Sequence, residues 1–147
     1  MKKLFLAMAA IAAFAFVGCS KDDGDVTPST ENLVGTWQLY MEADEIIEDV
    51  ESYGYIEQLI FKPDNTVELI QKEEYNGQWH THGDLGSYKI SGNKLTLYYP
   101  SREDQKDEKP VEEYIIEKLT AEELILAYEI EERGEIGVER YGYKRIK

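Results

Sequence analysis

The chain has 147 residues, with 30 Asp and Glu against 16 Lys and Arg and a formal net charge of −14. That length holds about one domain, and the acidity excludes nucleic acid and anionic lipid headgroups as electrostatic partners. The single cysteine rules out an intramolecular disulfide.

Met1-Lys2-Lys3 is a basic start, and residues 4–16 form an apolar, alanine-rich run too short to span a bilayer. Residues 1–18 are therefore expected to be a secretory leader that is cut away. Val17-Gly18 place small residues directly before Cys19. This resembles the bacterial lipobox, in which the cysteine becomes the lipidated N-terminus, and it implies a membrane anchor of the palmitate type on Cys19. Losing Lys2 and Lys3 with the leader takes the net charge to −16, 14 basic against 30 acidic residues. Residues 19–32 are polar and acidic, include Pro28, Ser29 and Thr30, and are too poor in apolar groups to build a core. They are expected to be a flexible tether. Lys21-Asp22-Asp23 resembles the surface-export signal of Bacteroides-type lipoproteins, which implies display on the outer face of the outer membrane.

Residues 33–147 read as one all-β domain, in keeping with the eleven tyrosines of the chain. Short alternating runs separated by turn chemistry predict eight strands at 35–41, 55–62, 66–72, 77–90, 94–99, 111–119, 124–131 and 136–146. Pro63-Asp64-Asn65 is a tight turn, with Asn suited to the left-handed position. Gly83 and Gly86 suggest a bulge or bend inside the fourth strand. Gly92-Asn93 is a two-residue hairpin signal, and Thr120 with Glu123 resembles a one-turn capping box. Ile46, Ile47 and Val50 are spaced for a short amphipathic helix between the first two strands. Hairpins in series favour an antiparallel up-and-down barrel whose last strand meets its first, because closure removes both exposed edges. A two-sheet sandwich is the alternative.

Gly35-Thr36-Trp37 at the head of the first strand resembles the Gly-x-Trp signature of lipocalins. Residues 33–37 and 59–67, Gly86-Ser87-Tyr88-Lys89-Ile90, residues 92–97 and Lys118-Leu119-Thr120 extend the likeness. Together they resemble the lipocalin-like domain of Bacteroides-type secreted lipoproteins. The resemblance implies a barrel or calyx and no uniform activity. It also implies a last-strand arginine stacked on Trp37, either Arg140 or Arg145.

Up-and-down topology sends the long connections, roughly 42–54 and 100–110, to one rim. Glu42, Asp44, Glu45, Glu48, Asp49 and Glu51 make the first of these purely acidic; in the second, Glu103, Asp104, Asp107 and Glu108 meet Arg102, Lys106 and Lys109. This gives a barrel mouth with an acidic collar, set against the plain reading of solvated loops. Trp37, Leu39, Met41, Phe61, Tyr88, Leu97, Tyr99, Tyr114, Leu126, Tyr128, Tyr141 and Tyr143 are the candidate cavity lining, although a barrel this small is also able to fill its interior with side chains. His80 and His82 share one strand face, which is two ligands where a zinc site needs more. No nucleophile elbow, phosphate loop or metalloprotease helix occurs, so no catalytic residues and no cofactor are assigned. Two functions remain: binding a small apolar or amphipathic molecule at the mouth, or docking a cationic protein on the acidic rim, as acidic barrel-shaped lysozyme inhibitors do. A purely structural accessory lipoprotein is a third.

Overall fold

A computed structural model describes residues 27–100 and 111–147. The expected leader, Cys19, most of the expected tether and the charged segment 101–110 lie outside the described residues. In chain order the elements are α1 (Thr30–Leu33), β1 (Gly35–Glu42), β2 (Glu45–Ile46), α2 (Val50–Tyr53), β3 (Tyr55–Phe61), β4 (Thr66–Tyr75), β5 (Gln78–Ser91), β6 (Lys94–Tyr98), β7 (Val111–Leu119), β8 (Glu123–Glu132) and β9 (Glu135–Ile146).

From β3 onward each strand pairs antiparallel with its successor, and β1 pairs with both β3 and β9. The sheet therefore closes, as an eight-stranded barrel to which β2 adds a two-residue ribbon on β1. Closure excludes the sandwich. The connections after β1, β4, β6 and β8 reach one end, the mouth. The turns after β3, β5 and β7 reach the other, the base, together with α1.

Turn chemistry sets these connections. Asn65 takes φ 63° in the Pro63-Asp64-Asn65 turn, and Gly92 takes φ 62° in the Gly92-Asn93 hairpin. Asn76-Gly77 and Arg133-Gly134 are left-handed at both positions, which matches the twist of the hairpins they close. Ala43-Asp44 does the same, so Glu45–Ile46 returns along β1 as strand. The amphipathic helix expected over Ile46, Ile47 and Val50 is for that reason reduced to α2; Ile46 is exposed while Ile47 packs on the core. Three further expectations are corrected. The last residues of the span expected as tether form the helical turn α1, which Ser29 caps by accepting from Asn32 N–H. Residues 83–86 carry no bulge: β5 pairs with β4 in unbroken register, and β6 joins it only from Ser87 onward. Thr120 Oγ1 accepts from Glu123 N–H at 2.9 Å, but the Glu123 carboxylate bonds Tyr40 and Lys118 instead of completing a capping box.

The core occupies the base half. Leu33, Trp37, Phe61, Val67, Leu95, Leu97, Leu119, Leu124 and Leu126 are almost wholly buried, each worth roughly 1.5–3 kcal/mol of transfer free energy. Phe61 and Tyr88 meet edge-to-face with centroids 5.0 Å apart. The described core residues run from Leu33 in α1 to Tyr143 in β9.

Candidate functional site

The base is sealed from one residue outward. Trp37 lies in the barrel axis with no exposure and donates Nε1–H to the Leu33 carbonyl at 2.8 Å, tying α1 across the opening. Of the two arginines open to the cation–π role, Arg145 fills it, its guanidinium carbon 4.1 Å from the Trp37 ring centre. It also donates to the carbonyls of Ala121, Val34 and Asn32 at 2.7, 2.6 and 2.8 Å, satisfying chain ends that the base would otherwise strand. Gly35, at φ 144°, leaves room for this: a Cβ there would collide with Arg145 Nη1. Arg140 faces outward and clasps Glu117 through two N–H groups at 2.7 and 3.2 Å.

Toward the mouth the inward register changes character. Leu59 is followed inward by Glu57 and Tyr55, and Leu69 by Gln71. Leu97 faces Glu112, and Leu95 faces Tyr114. Tyr128 faces Glu139, and Leu126 faces Tyr141. Glu57 accepts from Tyr143 at 2.8 Å, from Tyr55 at 2.7 Å and from Gln71 at 3.3 Å. Tyr114 donates to Glu112 at 3.0 Å and Tyr141 to Glu139 at 2.9 Å. The rings of Tyr114 and Tyr128 are tilted together at 5.4 Å. The Tyr99 hydroxyl is enclosed and, among the described residues, has no hydrogen-bond partner. A side chain on Gly86 would collide with the Tyr98 carbonyl and press on the Tyr99 ring, so the glycine admits that ring to the interior.

The electrostatics are one-sided. Burial is the largest cause raising the Tyr55, Tyr99, Tyr114, Tyr141 and Tyr143 phenols, with neighbouring carboxylates, Glu57 among them for all five, adding to it; Tyr141 is pushed up to about 12. These hydroxyls therefore stay protonated and act as donors to the carboxylates. Solvent reaches the Glu112 side chain through the mouth. The surrounding protein is nonetheless dense enough that burial raises its carboxyl above the ordinary range, Glu57 adding to this and the Tyr114 hydrogen bond opposing it. The described lysines and arginines lie in turns, at the chain end or in outward register, except Arg145 at the base.

Eleven of the twelve expected lining residues point inward, and they divide by depth. Trp37, Leu39, Phe61, Tyr88, Leu97, Leu126 and Tyr143 are packed core. Tyr99, Tyr114, Tyr128 and Tyr141 are half-buried around the upper interior. Met41 is the correction. A bulge in β1 between Leu39 and Met41 sets Met41 opposite Gly142, an outward position, and brings Glu42 inward. Glu42 accordingly raises both Tyr55 and Tyr141. At the rim, between the β1–β3 connection and the inward side of β9, lies a cleft of about 770 Å³ whose charged lining is acidic throughout: Glu42, Glu45, Glu48, Asp49 and Glu139. His80 and His82 are exposed on the β4–β5 hairpin opposite Glu73 and Gln71, and among the described residues no group of three or more ligands is placed to hold a metal.

Composition hid Glu57, Gln71 and Glu112, because abundant acidic and amide side chains read as wet surface. Period-two alternation was the available signal: Glu57 lies two residues from both Tyr55 and Leu59, and Glu112 two residues from Tyr114.

No curated protein matches the chain. The crystal structure of a lipocalin-like protein from Bacteroides uniformis ATCC 8492 is similar at 16% identity and a TM-score of 0.46, over 78% of this chain and 99% of that one. The family model described as a lipocalin-like domain matches residues 33–126, from the Leu33 that caps the base to Leu126 in β8, and the chain belongs to that family.

Proposed function

We propose that this is a non-enzymatic binding protein, lipidated at Cys19 and displayed on the outer membrane, whose barrel holds a small amphipathic molecule at its mouth. One observation carries the binding role: the barrel is closed by packed core at its base and bears a cleft of about 770 Å³ at its rim. Ile46, Ile47 and Tyr141 give that cleft apolar surface beside the carboxylates of Glu42 and Glu139. Barrel mouths of this kind are favoured ligand sites. Native mass spectrometry of the protein isolated gently from its own host tests this reading. A small-molecule adduct released on unfolding is expected, and its absence from repeated gentle preparations would contradict it.

The all-acidic charge of the rim cleft favours a second reading, a surface for a cationic protein. Binding of that kind would weaken steeply with salt, whereas an amphiphile held largely by apolar contact would not.

A further inference from the structure

We infer that the free edge of β5 pairs with the same edge of a second copy of the chain, making one antiparallel sheet across a two-fold axis at His82. β5 pairs with β4 along its length, but β6 joins it only from Ser87 onward. Tyr75 and Gln78 flank the two-residue Asn76-Gly77 turn, so Gln78, His80, His82 and Asp84 turn their backbone groups to β4. The N–H and C=O groups of Trp79, Thr81, Gly83 and Leu85 therefore point the other way, where no strand meets them among the described residues. Unpaired ladder groups are a template for another strand, and proteins ordinarily guard such an edge with lysine, proline or a bulge. This edge has none of these. β5 keeps unbroken register with β4, and residues 75–83 hold no Asp, Glu, Lys or Arg in a chain of which 31% is charged. Trp79 and Leu85 add exposed apolar surface on its outward face.

Complementarity selects a second copy as the occupant. With the axis at His82, Trp79 lies opposite Leu85 of the second copy and Thr81 opposite its Gly83. All four edge residues are then matched, for about eight ladder hydrogen bonds. An axis at Thr81 or Gly83 would leave Leu85 or Trp79 without an edge partner. In the matched register Trp79 and Leu85 cover one another on the outward face. On the other face the His80 imidazole meets the Asp84 carboxylate, the one charge between residues 78 and 86, and symmetry makes that contact twice. A single pair of strands is small beside a permanent interface, so the copies part readily in dilute solution.

The test is disulfide trapping in the full chain, expressed in its own host and oxidised with diamide. Cys19 is the only cysteine of the parent, so the parent sets the background. On the axis, in a non-hydrogen-bonded pair, the two Cα atoms lie about 4.5 Å apart, within disulfide reach. His82→Cys is expected to give a reducible species of twice the monomer mass, about tenfold or more above the parent. His80→Cys should stay at the parent's level, because more than about 12 Å separates it from its symmetry mate. Both side chains are exposed, so neither change touches the core. Adding Thr81→Pro to His82→Cys removes an edge N–H that β4 does not use, and trapping should return to background. Trapping of His82→Cys no greater than the parent's, or equal trapping of His82→Cys and His80→Cys, overturns the pairing. Trapping that survives the proline overturns the ladder as its cause.

Discussion

Arg145 joins three backbone carbonyls and one indole face, a task that depends on a planar fork of donors rather than on charge alone. Arg145→Lys is therefore expected to lose about 1–3 kcal/mol, read as a lower urea midpoint with unchanged slope. A lysine variant as stable as the parent would show that charge suffices. Glu112 bears on pH. Its carboxyl is held above the ordinary range chiefly by burial, so the folded state favours the protonated form, and that contribution fades as pH rises through the folded value. Glu112→Gln, neutral at every pH, should then be more stable than the parent at neutral pH, by less than about 1 kcal/mol because water reaches the side chain. The two should converge below about pH 4, where the carboxyl is protonated folded and unfolded alike. Thermal melts across that range check the sign; an advantage that grew on acidification would contradict it. Trp37 and Gly35 were legible from sequence because their spacing is a signature. The choice between Arg140 and Arg145 was left open, although residues five apart in one strand fall on opposite faces and Arg145 shares its face with the expected lining residues Tyr141 and Tyr143.

At the scale of elements, the two ends of each strand live in different surroundings. The outer halves of β4 and β5, with Tyr75 and Trp79 largely exposed, stand clear of the core, whereas β6 and the start of β8 are buried in it. Amide hydrogen exchange should be fast over residues 73–82 and slow by orders of magnitude at Leu95, Leu97, Leu124 and Leu126; uniform protection would mean that the hairpin is anchored by something else. Strand positions were legible because one face is wet and the other dry, which imposes a period of two. Bulges broke that rule twice. In β7, Ile116 and Leu119 are both buried although three apart, and the register shift between Ile116 and Lys118 turns Glu117 and Lys118 together to the outside. That spacing was a visible hint. In β1 nothing in the alternation of Leu39 and Met41 betrayed the shift, because both are apolar; Gly142 leaves the room that a side chain there would take from Tyr40 and Met41.

For the whole molecule, the proposed role requires an anchor at one end and an opening at the other. The base, where α1 enters, is the end sealed by Trp37 and Arg145, and under the proposed lipidation of Cys19 the mouth is the end away from α1. Cys19→Ala is expected to abolish fatty-acid labelling and release the protein from the membrane fraction; retained labelling would place the lipid elsewhere. Barrel closure was legible from the run of hairpins, but the division of the interior into a packed base and a half-buried polar upper part was not. It depends on which acids fall in the inward register, and strand pairing alone decides that. Thiol labelling tests this division most directly. Residues 20–147 contain no cysteine, so single cysteines at Tyr114 or Tyr128 sample the upper part, and at Leu97 or Leu126 the base. The first pair should react with a small maleimide nearly as fast as when unfolded, the second only on unfolding. Protection of both pairs alike would mean a barrel filled from end to end, with no room above the base for any ligand.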